Sequence, residues 1–309
     1  MHSHHHGPGV ATGSPTRAFA AVTLINLAYT ALEAGYGFAI NSLALLSDAL
    51  HNLGDVMGLA LAWGAAVVAQ WPPTERHTYG WRRATLLSPL ANALMLVGLS
   101  GGLAWEALRR LSEPPQVPGM TVIVVAAIGI VVNLGAAWLM RGGHGHDLNR
   151  RGAFLHLIAD AAVSLAAVLA GAGMLVLGWH WLDPATALLV GVVVAIGAFG
   201  LLRDSFNAAM DAVPAGIDQG EVRAFLAAQG GVCAVHHLHI WSLGAGEVAL
   251  TAHLVRPEDD DHDPFIASLA HALEQRFGIN HATVQVERSE GCARSEHGQR
   301  GTTAHRHPD

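Results

Sequence analysis

The sequence predicts an all-α transmembrane domain of six helices followed by a small α+β domain. Three observations carry that prediction. Of 309 residues, 51% are hydrophobic and only 13% charged, about half the charged share of a soluble domain. Six apolar stretches between residues 18 and 202 are each long enough to cross ~30 Å of hydrocarbon as a helix. Beyond Asp211 the pattern changes to alternating strands and amphipathic helices.

The first stretch, Ala18 to Ile40, is polar only at Thr23, Asn26, Thr30 and Glu33. The second, Ser42 to Gln70, carries Asp48, His51, Asn52 and Asp55 in its first half and is stopped by Trp71-Pro72-Pro73. A polar loop to Arg83 leads to the third, Thr85 to Leu108, and a proline-rich turn, Pro114 to Pro118, to the fourth, Gly119 to Met140. A short loop with His144 and His146 precedes the fifth, Gly152 to Leu177, which holds His156 and Asp160. After a tight connection, Trp179 to Asp183, the sixth runs from Pro184 to Leu202. Arginines at 17, 76, 82, 83, 141, 150, 151 and 203 fall on one side of this arrangement, with Arg109 and Arg110 on the other. The positive-inside rule therefore predicts that both termini are cytoplasmic.

In the C-terminal part, Asp218 to Gln229 reads as an amphipathic helix with Val222, Phe225 and Leu226 inward. Val235 to Trp241 and Glu247 to Val255 read as two strands joined at Gly244-Ala245-Gly246. A helix from Pro264 to Phe277 and a strand from Ala282 to Arg288 complete an αββαβ order. Strand alternation predicts that His237 faces away from His236. The predicted division is a histidine-bearing cytoplasmic tail at 1–16, the six-helix domain at 17–206, a cytoplasmic domain at 207–288 and a disordered tail at 289–309. The N-terminal tail has no apolar core of a secretory signal.

The chemistry lies in two short stretches, His51-Asn52-Leu53-Gly54-Asp55 and His156-Leu157-Ile158-Ala159-Asp160. Each places an imidazole and a carboxylate four residues apart, on one face of a helix. Ionisable groups in mid-membrane cost roughly 2.5–3.5 kcal/mol each on insertion scales, which marks such residues as functional. Two such helices facing each other offer two nitrogens and two oxygens, a tetrahedral set that suits zinc. Magnesium and calcium prefer all-oxygen shells, whereas cobalt, cadmium and ferrous iron are separated from zinc much less well by this donor set. A protonated imidazole cannot ligate, so protons compete with metal and supply a counter-ion. Cys233 and Cys292 are too few and too isolated for a disulfide framework or a cysteine zinc cluster. The net charge of -7 gives no sign of nucleic acid as partner. Asp48 reads as a cap near the helix start or a residue lining the entry path, and Glu33 and Asn26 as hydrogen-bonding groups between helices.

The sequence resembles the cation diffusion facilitator family in its zinc-transporting branch. The likeness rests on the paired His-x-x-x-Asp motifs and on Ser42 to His51, Arg76-His77-Thr78-Tyr79-Gly80-Trp81, Ala153-Phe154-Leu155-His156 and Val235 to Trp241. It spans about Arg17 to Arg288. The resemblance implies a homodimeric, proton-coupled exporter with a ferredoxin-like, metallochaperone-like cytoplasmic domain at the dimer contact. It also implies that His51, Asp55, His156 and Asp160 form the transport site, with a histidine at 51 favouring zinc over cadmium. His236, His253 and Glu287 match ligands of a cytoplasmic zinc site, where zinc is a regulatory ligand. Gln285 stands where some relatives have a further histidine. His77 matches one ligand of a loop site, but Thr74 and Trp81 occupy the other positions, so that site is expected to be weak or absent.

An intramembrane zinc enzyme is disfavoured because no His-Glu-x-x-His occurs in the chain. A membrane zinc sensor would account for His236 and His253 but leave the intramembrane pairs without purpose. The reading is therefore a non-enzymatic, multi-pass protein of a bacterial inner membrane, with zinc as substrate, protons as counter-ion, and the lipid bilayer and a second copy as partners.

Overall fold

A computed structural model describes residues 15–140, 148–244, 246–257 and 262–288, with side chains from residue 24 and none between 139 and 153. The predicted C-terminal tail, His144, His146 and the predicted N-terminal tail apart from Pro15 and Thr16, which begin the first helix, lie outside the described residues. The chain forms two compact units, residues 1–61 with 91–202 and residues 62–90 with 203–309.

The first unit is helical. It contains α1 (Pro15–Ala39), α4 (Gly119–Met140), α5 (Leu148–Leu177) and the larger parts of α2 (Leu43–Ala69), α3 (Ala84–Ser112) and α6 (Leu182–Ala209). Among the described residues, α2, α3, α4, α5 and α6 are long and apolar enough to cross a membrane. The 25-residue α1 has the corresponding length. A core of Leu45, Val122, Val125, Ala126, Ala167 and Met174 joins α2, α4 and α5. Glycine makes the α4–α5 contact close: a Cβ on Gly119 would lie 2.5 Å from the Gly171 carbonyl, and one on Gly171 would lie 2.9 Å from the Gly119 carbonyl. Leu43, Ala107 and Ala187 form a smaller core between α2, α3 and α6.

The ends of these helices are closed by specific groups. Asn41, at φ 59°, turns the chain out of α1. Arg110 donates to its carbonyl at 2.9 Å and to Glu106 at 2.9 Å, while Arg109 meets Glu106 at 3.1 Å. The two arginines that break the charge asymmetry of the loops are thus held by local acceptors. The first amides of α2 are capped from α6, where Asp183 accepts from Leu43 N at 2.7 Å, Ala44 N at 3.3 Å and Ser42 Oγ at 2.5 Å. Asp48 does not cap α2. It is 1% exposed, in the second turn, and accepts a hydrogen bond from Ser164 Oγ of α5 at 3.0 Å.

The second unit contains α7 (Gln219–Ala227), β1 (Ala234–Gly244), β2 (Glu247–Val255), α8 (His262–Phe277) and β3 (His281–Glu287), the αββαβ order expected. Asp218 caps α7 by accepting from Gly220 N and Glu221 N. β1 and β2 are antiparallel, and β3 pairs parallel to β2 after the α8 crossover. Val222 and Leu226 of α7 and Leu269 and Leu273 of α8 pack on Leu238, Ile240, Leu250 and Leu254 of the sheet. Two ion pairs fasten the 71–83 loop within this unit, Arg82 with Glu247 and Arg83 with Asp211 at 2.8 Å.

Candidate metal centre

The four residues of the two His-x-x-x-Asp motifs meet inside the first unit. His51 Nε2 lies 3.9 Å from Asp55 Oδ2 on its own helix and 3.3 Å from Asp160 Oδ1 on α5. His156 Nε2 lies 3.6 Å from Asp160 Oδ2 on its own helix and 3.1 Å from Asp55 Oδ2 on α2. The four side chains thus close a ring in which each imidazole is nearer the partner helix's carboxylate than its own. The spacing of four residues turns both groups to one side of each helix, and the packing of α2 and α5 brings the sides together. Asp160 is 1% exposed. Asp55 Oδ2 and Asp160 Oδ1 are buried without a well-aligned hydrogen-bond donor, the state expected of oxygens suited to a cation.

A tetrahedral zinc shell with bonds of about 2.0–2.2 Å has ligand-to-ligand edges of about 3.3 Å. The four imidazole–carboxylate edges, 3.1 to 3.9 Å, are close to that value. The two imidazoles stand edge to face with centroids 5.9 Å apart, and no three of the four residues have ligand atoms mutually within 4.8 Å, so both the His–His and the Asp–Asp separations must contract for all four donors to reach one ion.

A second cluster lies on the sheet. His236 and His253 are paired across β1 and β2, and Glu287 sits two residues beyond Gln285, the partner of His253 on β3. Glu287 Oε2 is 3.0 Å from His236 Nε2 and Oε1 is 2.8 Å from His253 Nδ1. Among the described residues, this is the group of three whose ligand atoms all lie within 4.8 Å of one another. Desolvation pushes the Glu287 carboxyl upward, but the hydrogen bonds from His253 and His236 outweigh it and hold the group below the usual glutamate range. Gln285 Nε2 donates to Glu287 Oε1 at 3.3 Å, and so orients the carboxylate where a further histidine would have added a ligand.

His237 departs from the expected alternation. The register of β1 shifts between His236 and His239, and His237 takes a left-handed φ of 48° within that bulge. Its ring lies 5.2 Å from that of His236 and 5.0 Å from that of His253. The extra residue therefore returns His237 to the cluster that strict alternation takes it away from. His77 is held in a turn by Thr74, whose hydroxyl accepts from His77 N at 3.1 Å, and lies 4.3 Å from the Trp81 ring. Among the described residues no group of three ligands forms around it.

Residues 19–208 match the cation efflux transmembrane domain, and residues 214–289 match the cation efflux protein cytoplasmic domain. The chain is 33% identical to a cadmium, cobalt and zinc/H(+)-K(+) antiporter of Bacillus velezensis, over 93% of this chain and 91% of that one. It is also 33% identical to the zinc transporter ZitB of Escherichia coli, over 92% and 91%. The solved metal-bound C-terminal domain of the CzcD transporter from Cupriavidus metallidurans matches at 35% identity over 23% of this chain and 99% of that one, with a TM-score of 0.22. With both regions matched over nearly its whole length, the chain is an integral membrane protein and belongs to the cation efflux family.

Proposed function

We propose that this protein exports zinc from the cytoplasm in exchange for protons, with His51, Asp55, His156 and Asp160 as the transport site. The observation that carries the reading is the closed ring of two imidazoles and two carboxylates between α2 and α5. Its charge balance suits exchange. Two carboxylates with two imidazolium groups sum to zero, and so do two carboxylates, two neutral imidazoles and one divalent cation. The site passes between these states without stranding net charge in a low-dielectric interior. With protons in place the cross-helix pairs hold α2 to α5, and metal takes the same nitrogens once the protons leave.

The arginine-rich loops set the orientation in the membrane, with both termini in the cytoplasm of a bacterial cell. Residues 17–206 serve as the transmembrane domain and 207–288 as a cytoplasmic domain through which two copies pair as a homodimer. His236, His253 and Glu287 there hold zinc as a regulatory ligand, separate from the transported ion. Relatives named for zinc, and for cadmium, cobalt and zinc together, support the substrate class. Proteoliposomes test the reading. Zinc flux driven by an imposed pH gradient is expected in the wild type and is lost in Asp55→Ala and Asp160→Ala. Full flux in both variants, or wild-type flux that ignores the gradient, defeats it.

A further inference from the structure

A second set of ionisable side chains lies in the first unit, outside the ring. Glu33 of α1 and Asp48 of α2 are 0% and 1% exposed, and their carboxyl groups are in hydrogen-bonding contact. Tyr29 Oη donates to Glu33 Oε1 at 2.8 Å and lies 3.4 Å from the Val125 carbonyl of α4. Ser164 Oγ of α5 donates to Asp48 Oδ2 at 3.0 Å, and Asn52 Nδ2 to Asp48 Oδ1 at 3.4 Å. Glu33 Oε2 is buried without a well-aligned hydrogen bond, with the Asn52 side chain nearby. Gly129 of α4 makes room for the cluster, because a Cβ there would collide with Tyr29 Oη and stand 3.0 Å from Ser164 Oγ.

Two carboxylates in contact stay ionised together in such surroundings only when positive charge stands nearby, whereas one proton between them removes the repulsion. It also gives Glu33 Oε2 a well-formed hydrogen bond. The ionisable groups facing the pair are Tyr29 on α1, His51 on α2 and Asp160 on α5. α4 has no ionisable side chain.

We propose that Glu33 and Asp48 form a proton-binding site of the transport cycle, holding one shared proton while the ring is without metal and releasing it when a divalent cation arrives. The proposal rests on the zinc-for-proton reading above. Without metal and with neutral imidazoles, the ring carries the two negative charges of Asp55 and Asp160, which favours a proton nearby. A divalent cation cancels those charges. The protonated pair then becomes two carboxylates, and the proton passes to solvent. The link is short in both helices: Asn52 follows His51 directly, and Ser164 lies one turn beyond Asp160.

The test counts protons. Full-length protein in lipid nanodiscs is titrated with zinc in weakly buffered solution containing a pH dye, over a range of pH, as wild type, E33Q and D48N. Both variants are expected to bind zinc while releasing fewer protons, the deficit reaching about one per zinc ion, as for a coupled pair sharing one proton. Zinc binding with an unchanged proton count overturns the proposal and leaves the transport reading standing. In protein whose sheet cluster is removed by H236A and E287Q, zinc binding that survives loss of both Asp55 and Asp160 overturns the transport reading and this proposal with it. Infrared difference spectra of the wild type give a check that does not depend on how the variants fold. Zinc addition is expected to bleach a protonated-carboxyl C=O band, and its absence overturns the proposal.

Discussion

Asp183→Ala removes the acceptor that α6 lends to the start of α2. Three donors lose their partner: Leu43 N at 2.7 Å, Ala44 N at 3.3 Å and Ser42 Oγ at 2.5 Å. Leu43 and Ala44 are 2% and 1% exposed, so water cannot replace the carboxylate. Hydrogen bonds to a charged group are worth about 1.5–3 kcal/mol each, and the three together set a ceiling of roughly 5–9 kcal/mol. Removing a buried carboxylate returns several kcal/mol of desolvation cost. Ser42 Oγ also keeps its contact with Leu45 N at 3.3 Å. A net loss of about 2–4 kcal/mol remains, at or above the upper end of measured N-cap deletions. Asp183→Asn keeps one acceptor oxygen and the shape of the side chain, so about half that loss is expected. Thermal unfolding of the detergent-solubilised protein, followed by retention of the monodisperse species, reads the order wild type, Asn, Ala. An unchanged midpoint in the alanine variant, or an asparagine variant as damaged as alanine, would refute the capping argument.

Three further outcomes are expected. Glu287→Gln, measured by calorimetry on full-length protein carrying Asp55→Ala and Asp160→Ala, weakens zinc binding at the sheet cluster by at least about tenfold; an unchanged isotherm would remove Glu287 from the ligand set. The same carboxylate has a pH signature. Because its folded-state value is depressed, its contribution is fully present above the ordinary glutamate value of 4.5 and is lost as pH falls through the lower folded value. Hydrogen-exchange protection of β3 should therefore decline with acid in the wild type and lose that dependence in Glu287→Gln. His51→Asp replaces a nitrogen donor of the ring by oxygen, which shifts competitive flux from zinc toward cadmium, and identical selectivity would place discrimination elsewhere.

The i, i+4 spacing of the paired motifs was legible because it needs only helix geometry. Their crosswise pairing was not, because it depends on which faces α2 and α5 turn to each other. The cap on α2 escaped for a similar reason. Cap signals are sought within a few residues of a helix start, whereas Asp183 is 141 residues from Ser42. His237 was misplaced because strand alternation assumes that no residue is inserted. The bulge that overturns it carries a histidine at its left-handed position, where a glycine would have given warning.

Asp48 teaches the most about the site. Its position seven residues before Asp55 was visible, and so was the stripe His156, Asp160, Ser164 at successive four-residue steps on α5. The structure pairs those stripes. Asp55 meets His156, His51 meets Asp160, and Asp48 meets Ser164. One face of α5 therefore serves both the imidazole–carboxylate ring and the buried carboxyl pair. Any sliding or rotation of α5 against α2 that opens the ring also alters the hydrogen bond to Asp48. The ring and the carboxyl pair are thus coupled mechanically, through one helix face, as well as through charge.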